Sequence, residues 1–430
     1  MGTRRRHGLL AALWAGIATA PALAPGQAPA RPVDAATVRG KVMAGYQGWF
    51  RTPGDPAGEG YVHWGRDPKA LTPASLTVEM WPDLAGLPAD SARAVPGFTT
   101  PDGRPATLFS SDDAAVVRRH LDWLRDRRVD GIWLQHFLVD CPGGPLERRY
   151  ASRLRVLDHV RRAAEATGRA WALTLDPSGL PPDRVPDAVL AEWRRLVASG
   201  VTRSPGYLHE RGRPVVEVFG FYHGGADDRM APAQAERIVA GLHEPGDGAA
   251  FVIGSGAWDW RRDPDPAWQA ALARLDGISP WNVGNTSRDP DGTRRATTNT
   301  WAGDKRLCDS RGQLWLPVVY PGFGWDNLQG LPPGRSTIPR RGGRFLWEQF
   351  AELARLEADT AFVAMFDEVD EGTAIFPVTN TPPTQARFLT YDGLPPDWYL
   401  RLAGAGAALL RGERPFSAEI PIRPDDPPAP

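Results

Sequence analysis

Short apolar, β-branched or aromatic runs recur along this chain, separated by segments whose apolar residues fall at helical spacing. The runs are Val42–Phe50, Gly131–Phe137, Ala170–Leu175, Pro214–Phe221, Ala250–Gly254, Gly277–Trp281, Leu316–Tyr320 and Ala361–Phe366, eight in all. Val117, Leu121 and Leu124 predict a first helix behind Ser110, Ser111, Asp112 and Asp113, residue types that cap a helix N-terminus. Later helices are predicted around Leu157, Trp193, Ile238, Leu272, Phe350 and Leu402. Between Val283 and Leu314 the pattern is weak, polar and rich in Arg, Thr and Asp. Strands alternating with helices imply parallel strands, and eight of them between residues 31 and 412 predict an α/β fold of the (β/α)8 barrel type. An open doubly wound sheet is the alternative, but the first strand lacks the glycine-rich phosphate fingerprint of that fold. The barrel is read as one domain with a long insertion, Arg51 to Leu108, after its first strand. A loop of that length inside a compact domain points to function.

Residues 1–30 read as a secretory signal peptide and short linker. Arg4, Arg5, Arg6 and His7 precede an apolar run from Leu9 to about Ala24, and small-x-small sites come after it. The consecutive arginines also fit the twin-arginine route, and a disordered basic terminus is the remaining alternative. No later stretch is long and apolar enough for a membrane span. A secreted or periplasmic location is therefore expected, where a bridge between Cys141 and Cys308 is chemically open but is not fixed by the sequence. Residues 413–430 form a Pro-rich C-terminal tail, expected to be disordered. With 50 basic and 51 acidic side chains, the balance gives no electrostatic case for nucleic acid or an anionic membrane.

Composition sharpens the picture at one point. Trp occurs 17 times against 8 Tyr, so large flat faces are in demand. In a (β/α)8 barrel the working groups stand at the C-terminal ends of strands. Here those ends hold Tyr46, Gln47 and Trp49; His136; Asp176; Tyr222 and His223; Trp258; Trp281; Tyr320 and Trp325; and Asp367, Glu368, Asp370 and Glu371. Aromatic rings interleaved with amides and carboxylates suit sugars, whose C–H faces stack on rings and whose hydroxyls bond polar tips. The acidic run is the sharpest feature. Four carboxyls between positions 367 and 371 cannot all be buried and ionised cheaply. Strand parity places Ala364, Phe366 and Glu368 on one face, with Glu371 on the turning loop. Like charges so placed push their pKa values apart, giving an acid and a base for glycosidic cleavage. A solvated acidic turn or a calcium site built with Asn282 are the competing readings, and Asp289 to Gly292 is a fragment of a calcium-loop pattern. A zinc helix, a Walker loop, a nucleophile elbow and clustered Cys and His are not found, so neither metal nor cofactor is implied.

Three motifs carry a resemblance. Val42-Met-Ala-Gly-Tyr-Gln-Gly-Trp-Phe50, Met365-Phe-Asp-Glu-Val-Asp-Glu-Gly-Thr-Ala-Ile-Phe376, and Pro321-Gly-Phe323 with Ile338-Pro-Arg340 and Gly343-Arg-Phe-Leu-Trp347 resemble bacterial proteins of the glycoside hydrolase family 71/99-like group. The resemblance spans about residues 38 to 410 and implies a (β/α)8 barrel acting on an α-linked glycan, either an α-mannoside or a related polysaccharide. In family 99 the strand-8 motif reads Asn-Glu-Trp-His-Glu-Gly-Thr. Its first Glu is held to deprotonate the sugar's 2-hydroxyl, and its second to act as acid and then base. Glu368 and Glu371 match those two, and Gly372-Thr373 matches the closing Gly-Thr of that motif, whereas Asp367, Val369 and Asp370 replace Asn, Trp and His. The resemblance thus implies a retaining, metal-free hydrolase with catalytic Glu368 and Glu371 and an oligo- or polysaccharide substrate, expected to be a monomer. The alternatives are a cell-envelope barrel that binds glycans without cleaving them, and a structural envelope protein.

Overall fold

The computed structural model describes residues 32–223 and 230–426, so the predicted signal peptide and the last four residues of the tail lie outside it. Eight parallel strands succeed one another around a barrel. They are β1 (Val42–Tyr46), β2 (Gly131–Phe137), β3 (Ala170–Asp176), β4 (Arg213–Phe221), β5 (Phe251–Ala257), β6 (Gly277–Trp281), β7 (Leu314–Trp315 and Val318–Val319) and β8 (Ala361–Val363). A helix comes after each: α1 (Ala114–Asp126), α2 (Tyr150–Thr167), α3 (Val185–Ser199), α4 (Pro232–Leu242), α5 (Pro266–Ala273), α6 (Trp301–Arg311), α7 (Arg344–Arg355) and α8 (Trp398–Leu410). The predicted (β/α)8 architecture is the observed one.

Closure happens at β7. Its first half pairs with β6 (Leu314 with Gly277, Trp315 with Ile278), and its second half with β8 (Val318 with Phe362, Val319 with Val363). Leu316 N–H still donates to Ile278 O, while Pro317, which has no N–H, offers only its carbonyl, to Phe362 N–H. The strand thus hands over from one neighbour to the other at its proline.

Alternation along the strands divides the apolar residues into two layers. Met43, Trp133, Ala172, Val215, Ile253 and Phe362 fill the barrel interior. Ala44, Ile132, Leu134, Leu173, Val216 and Val252 face the helices. Burial on both faces is why these strands read as unbroken apolar runs.

Local signals set most boundaries. Asp113, at the end of the predicted cap cluster, caps α1 by accepting from Ala115 N–H at 2.8 Å. Asp112 pairs with Arg155 instead, and Ser110 donates to Asp55. The weak stretch after Val283 holds a hairpin (Thr286–Arg288 with Arg294–Ala296) and α6. The calcium-loop fragment is that hairpin's turn, with Asp289 paired to Arg295 and Asp291 accepting from Thr293 N–H. Both cysteines are free and buried, which answers the pairing question the sequence left open. One further expectation is corrected. The tail through Asp426 is held against α7 and α8, where Trp347 Nε1 donates to Ser417 O and Arg401 to Pro424 O and Asp426 O. Among the described residues, no helix is long and apolar enough to cross a membrane.

Candidate active site

The acidic corner is built where β8 stops. Its ladder ends at Val363, after which Met365 N–H donates to Thr373 O and Phe366 N–H to Gly45 O. This switch of partners overturns the predicted parity. Phe366 turns outward against Tyr46 and His120, whereas Glu368 reaches the side of the barrel where Gln47 lies. Thr373 and Ala374 N–H groups both donate to Glu368 O, closing the turn that presents Glu371.

Each acid has its own hold. Asp367 accepts from Gln47 N–H at 2.8 Å and Gly48 N–H at 3.0 Å, which ties the corner to the end of β1. Glu368 Oε1 accepts from Gln47 Nε2 at 2.6 Å, and Oε2 from Thr373 Oγ1 at 3.0 Å. Asp370 lies 3.7 Å from His63 Nδ1, on the insertion. Burial, and then the neighbouring Arg149, Arg153 and Arg51, depress the His63 pKa to about 3, so it meets Asp370 as a neutral ring. The backbone is fastened as well. Glu79 and Met80 N–H groups donate to Val369 O, Gly324 N–H to Glu371 O, and Arg340 Nη2 to Gly372 O and Ala374 O.

Electrostatically the corner holds protons. Burial pushes Asp367 up to about 7 against its two backbone donors. Burial, and then the charges of Glu371 and Asp370, carry Glu368 well above the usual carboxylate range. Asp370 is raised to about 7 by burial, and Glu371 to about 7 by burial and then by Asp370. These carboxyls titrate as a set, and the set cannot be fully ionised at neutral pH.

Of the other predicted residues, the structure brings some to the barrel mouth and turns others away. Gln47 and Asp176 point inward, the latter also accepting from Ser178 N–H. Trp281 lies over the interior, its ring edge-on to Phe219 at 5.4 Å and to Phe362 at 5.9 Å. Tyr222 and Trp258 are half-buried at the rim, and Trp325, 37% exposed, stands beside Phe323 on the loop after β7. Tyr46 and His136 are corrections, since both belong to the outward face. Tyr46 bonds His120 at 2.9 Å and His136 bonds Glu192 on α3 at 2.9 Å, and both residues are fully buried. Tyr320 is also sealed, its hydroxyl donating to Asn285 O. His223 is held by Asp263 and stacked on Trp268 beside α5. Trp49 is stacked on His63 at 3.9 Å and on Phe137 at 5.1 Å, so protein rings occupy it.

A second polar group inside the barrel escapes sequence reasoning. Glu217 on β4 accepts from Thr174 Oγ1 on β3 at 2.6 Å, with Ser255 and Ser279, paired across β5 and β6, nearby. Burial pushes Glu217 up to about 7. A signal for it exists: Thr174 lies two residues before Asp176 on the same face of β3, and Glu217 is its register partner.

Comparison with known proteins adds the fold. No family model and no curated protein match the chain. Among solved structures, a GH99 endo-alpha-mannosidase from Bacteroides thetaiotaomicron, in complex with bis-tris-propane, is similar with a TM-score of 0.65 and 17% identity over 87% of this chain and 99% of that one. Another structure of GH99 endo-alpha-mannosidase from the same organism gives 0.62 and 16%, again over 87% and 99%. The barrel described above is thus the fold of those enzymes.

Proposed function

We propose that this protein is a glycoside hydrolase that cleaves an α-linked glycan, an α-mannoside or a related polysaccharide. The observation that carries this reading is the pair of buried Glu368 and half-buried Glu371, both with raised pKa values, at the C-terminal mouth of a (β/α)8 barrel. The likeness in fold to endo-alpha-mannosidases supports the substrate class. On this reading residues 31–412 are one catalytic domain, preceded by an export signal, and the enzyme works outside the cytoplasm.

Glu371 supplies the proton. It reaches the leaving glycosidic oxygen protonated, because burial and Asp370 disfavour its anion. Glu368 serves as base. Donors from Gln47 and Thr373 on its two oxygens favour the anionic form against the burial and the charges of Glu371 and Asp370 that raise its pKa, and the base role requires Glu368 to be the ionised member of the pair once substrate is bound. In line with the family resemblance, Glu368 takes the proton of the sugar's 2-hydroxyl, and that oxygen attacks the anomeric carbon as the leaving group departs. The product is a 1,2-anhydro sugar. Water then opens it, giving a proton to Glu371 while Glu368 returns one to the 2-oxygen. Two displacements retain the anomeric configuration.

The test is hydrolysis of a panel of α-mannans, α-glucans and arabinoxylans, and then incubation with a 2-deoxy-2-fluoro substrate bearing a good leaving group. Cleavage of an α-linked member is expected, with neither turnover nor labelling by the fluoro sugar, whose attacking oxygen is absent. A stable adduct on Glu368 in the mass spectrum rejects the anhydro route and leaves a glycosidase with a carboxylate nucleophile. Binding without cleavage of any panel member rejects the enzyme in favour of a glycan-binding barrel.

A further inference from the structure

Outside the barrel wall, at the end of β2, three side chains of different chemistry converge. His136 Nε2 lies 2.9 Å from Glu192 Oε1 and 3.4 Å from Cys141 Sγ, and the three ligand atoms all lie within 4.8 Å of one another. All three residues are buried. They come from two separate elements, the end of β2 with its adjoining turn and the middle of α3. We propose that His136, Cys141 and Glu192 form a binding site for a borderline divalent transition-metal cation of the zinc type.

Imidazole, thiolate and carboxylate are the three ligand classes that such cations take together. Tetrahedral zinc at ordinary bond lengths needs ligand–ligand edges of about 3.3–3.6 Å. The observed His–Cys separation already meets that, the His–Glu pair needs to open by a few tenths of an ångström, and the Cys–Glu pair, within 4.8 Å, has to draw in onto the ion. The carboxylate is already held as an anion. Burial works against it, but bonds from His136 and then Arg195 bring Glu192 down to about 2. Arg195 Nε donates to Glu192 Oε2 at 2.8 Å and Tyr150 donates to Oε1 at 3.0 Å. Such partners are what an outer ring of donors around a metal-ligating carboxylate provides. An opening exists: a cavity of about 170 Å³, lined by Leu138, Cys141, Leu180, Ala188, Ala191 and Arg195 among others, reaches the thiol. Water from that cavity supplies the fourth ligand. The bound cation would clip β2 to α3, and the inference is independent of the proposed reaction.

The test is a titration of the reduced, tag-free full chain with Co2+ and then with Zn2+. One Co2+ per chain is expected, with a near-ultraviolet thiolate-to-cobalt band that one equivalent of Zn2+ abolishes. Cys141→Ser should lose the band, Glu192→Gln should weaken uptake more than tenfold, and Cys308→Ser should titrate like the wild type. Absence of a saturable thiolate band in the wild-type chain overturns the proposal whether or not the variants fold. So does a band that survives Cys141→Ser or depends on Cys308.

Discussion

Two buried clusters of ionisable groups stand at strand ends in this barrel, and they are electrostatic opposites. At the end of β8, Glu368, Asp370 and Glu371 face neutral donors and one another, and burial drives all three upward. The nearest imidazole, His63, is kept uncharged, and Arg340 spends its guanidinium on the carbonyls of Gly372 and Ala374. At the end of β2, Glu192 is also closed off from solvent, yet His136 and Arg195 bring it down to about 2. Burial alone therefore does not decide the state of a carboxyl; its partner does. An acid meant to deliver a proton must be buried without a cation, and the β8 corner is built that way. An acid meant to stay charged is given one, as on α3.

The largest expected break in this contrast is Glu371→Gln. The amide keeps the shape but carries no transferable proton, so kcat/KM should fall about 10²–10⁴-fold while glycan binding persists. In the wild type the rate should fall as pH rises past about 7, because the acid then loses its proton. The variant should lack that alkaline limb, which a pH–rate profile will show.

On the opposite side, Glu192→Gln removes a buried anion from its cations. Unfolding should become easier by about 2–3 kcal/mol, Arg195's exposed flank keeping the loss below that of a sealed pair. The folded pKa of Glu192 is depressed, so this stability is present above about pH 4.5 and lost as pH falls through about 2. Wild type and variant should therefore converge in acid when denaturant melts are compared.

Glu217 isolates burial from both kinds of partner. Its folded pKa is raised to about 7, so stability is full below about pH 4.5 and declines until pH 7 as the unfolded chain alone ionises. Glu217→Gln abolishes that decline and should gain on the order of 2 kcal/mol over the wild type at pH 8, with little gain at pH 4. Paired thermal melts at the two pH values measure it. The smallest effect is expected at the rim. Trp325→Ala beside the acidic corner should raise KM with kcat unchanged, costing about 1 kcal/mol of sugar stacking, checked by steady-state kinetics.

Strand positions were legible because the strands are buried and mostly apolar on both faces, and the same property hid which face looked inward. At β1 and β2, Gln47 and Gln135 alternate with Tyr46 and His136. The sequence offered both Tyr46 and Gln47 at β1 and His136 at β2 without telling the faces apart, and of these the amide at 47 is what touches Glu368. Parity failed at β8 for another reason: its ladder stops at Val363, and the next amides seek Thr373 and Gly45. The acidic pair itself was readable from residue type and spacing. The neutral His63 and the backbone bonds from Glu79 and Met80 were not, since they arrive from about 300 positions away in the sequence.

Those last contacts bear on how such a protein changes over generations. The insertion after β1 is no ornament added to a finished barrel. It donates two backbone bonds to Val369 and lays an imidazole beside Asp370, and it contributes much of the aromatic stack around Trp49. Loop and acidic corner must therefore be inherited, exchanged or grafted together. A lineage that shortened residues 51–108 would strip those contacts from the acidic corner in the same step, so under the proposed function substrate range and pH range would drift as one trait.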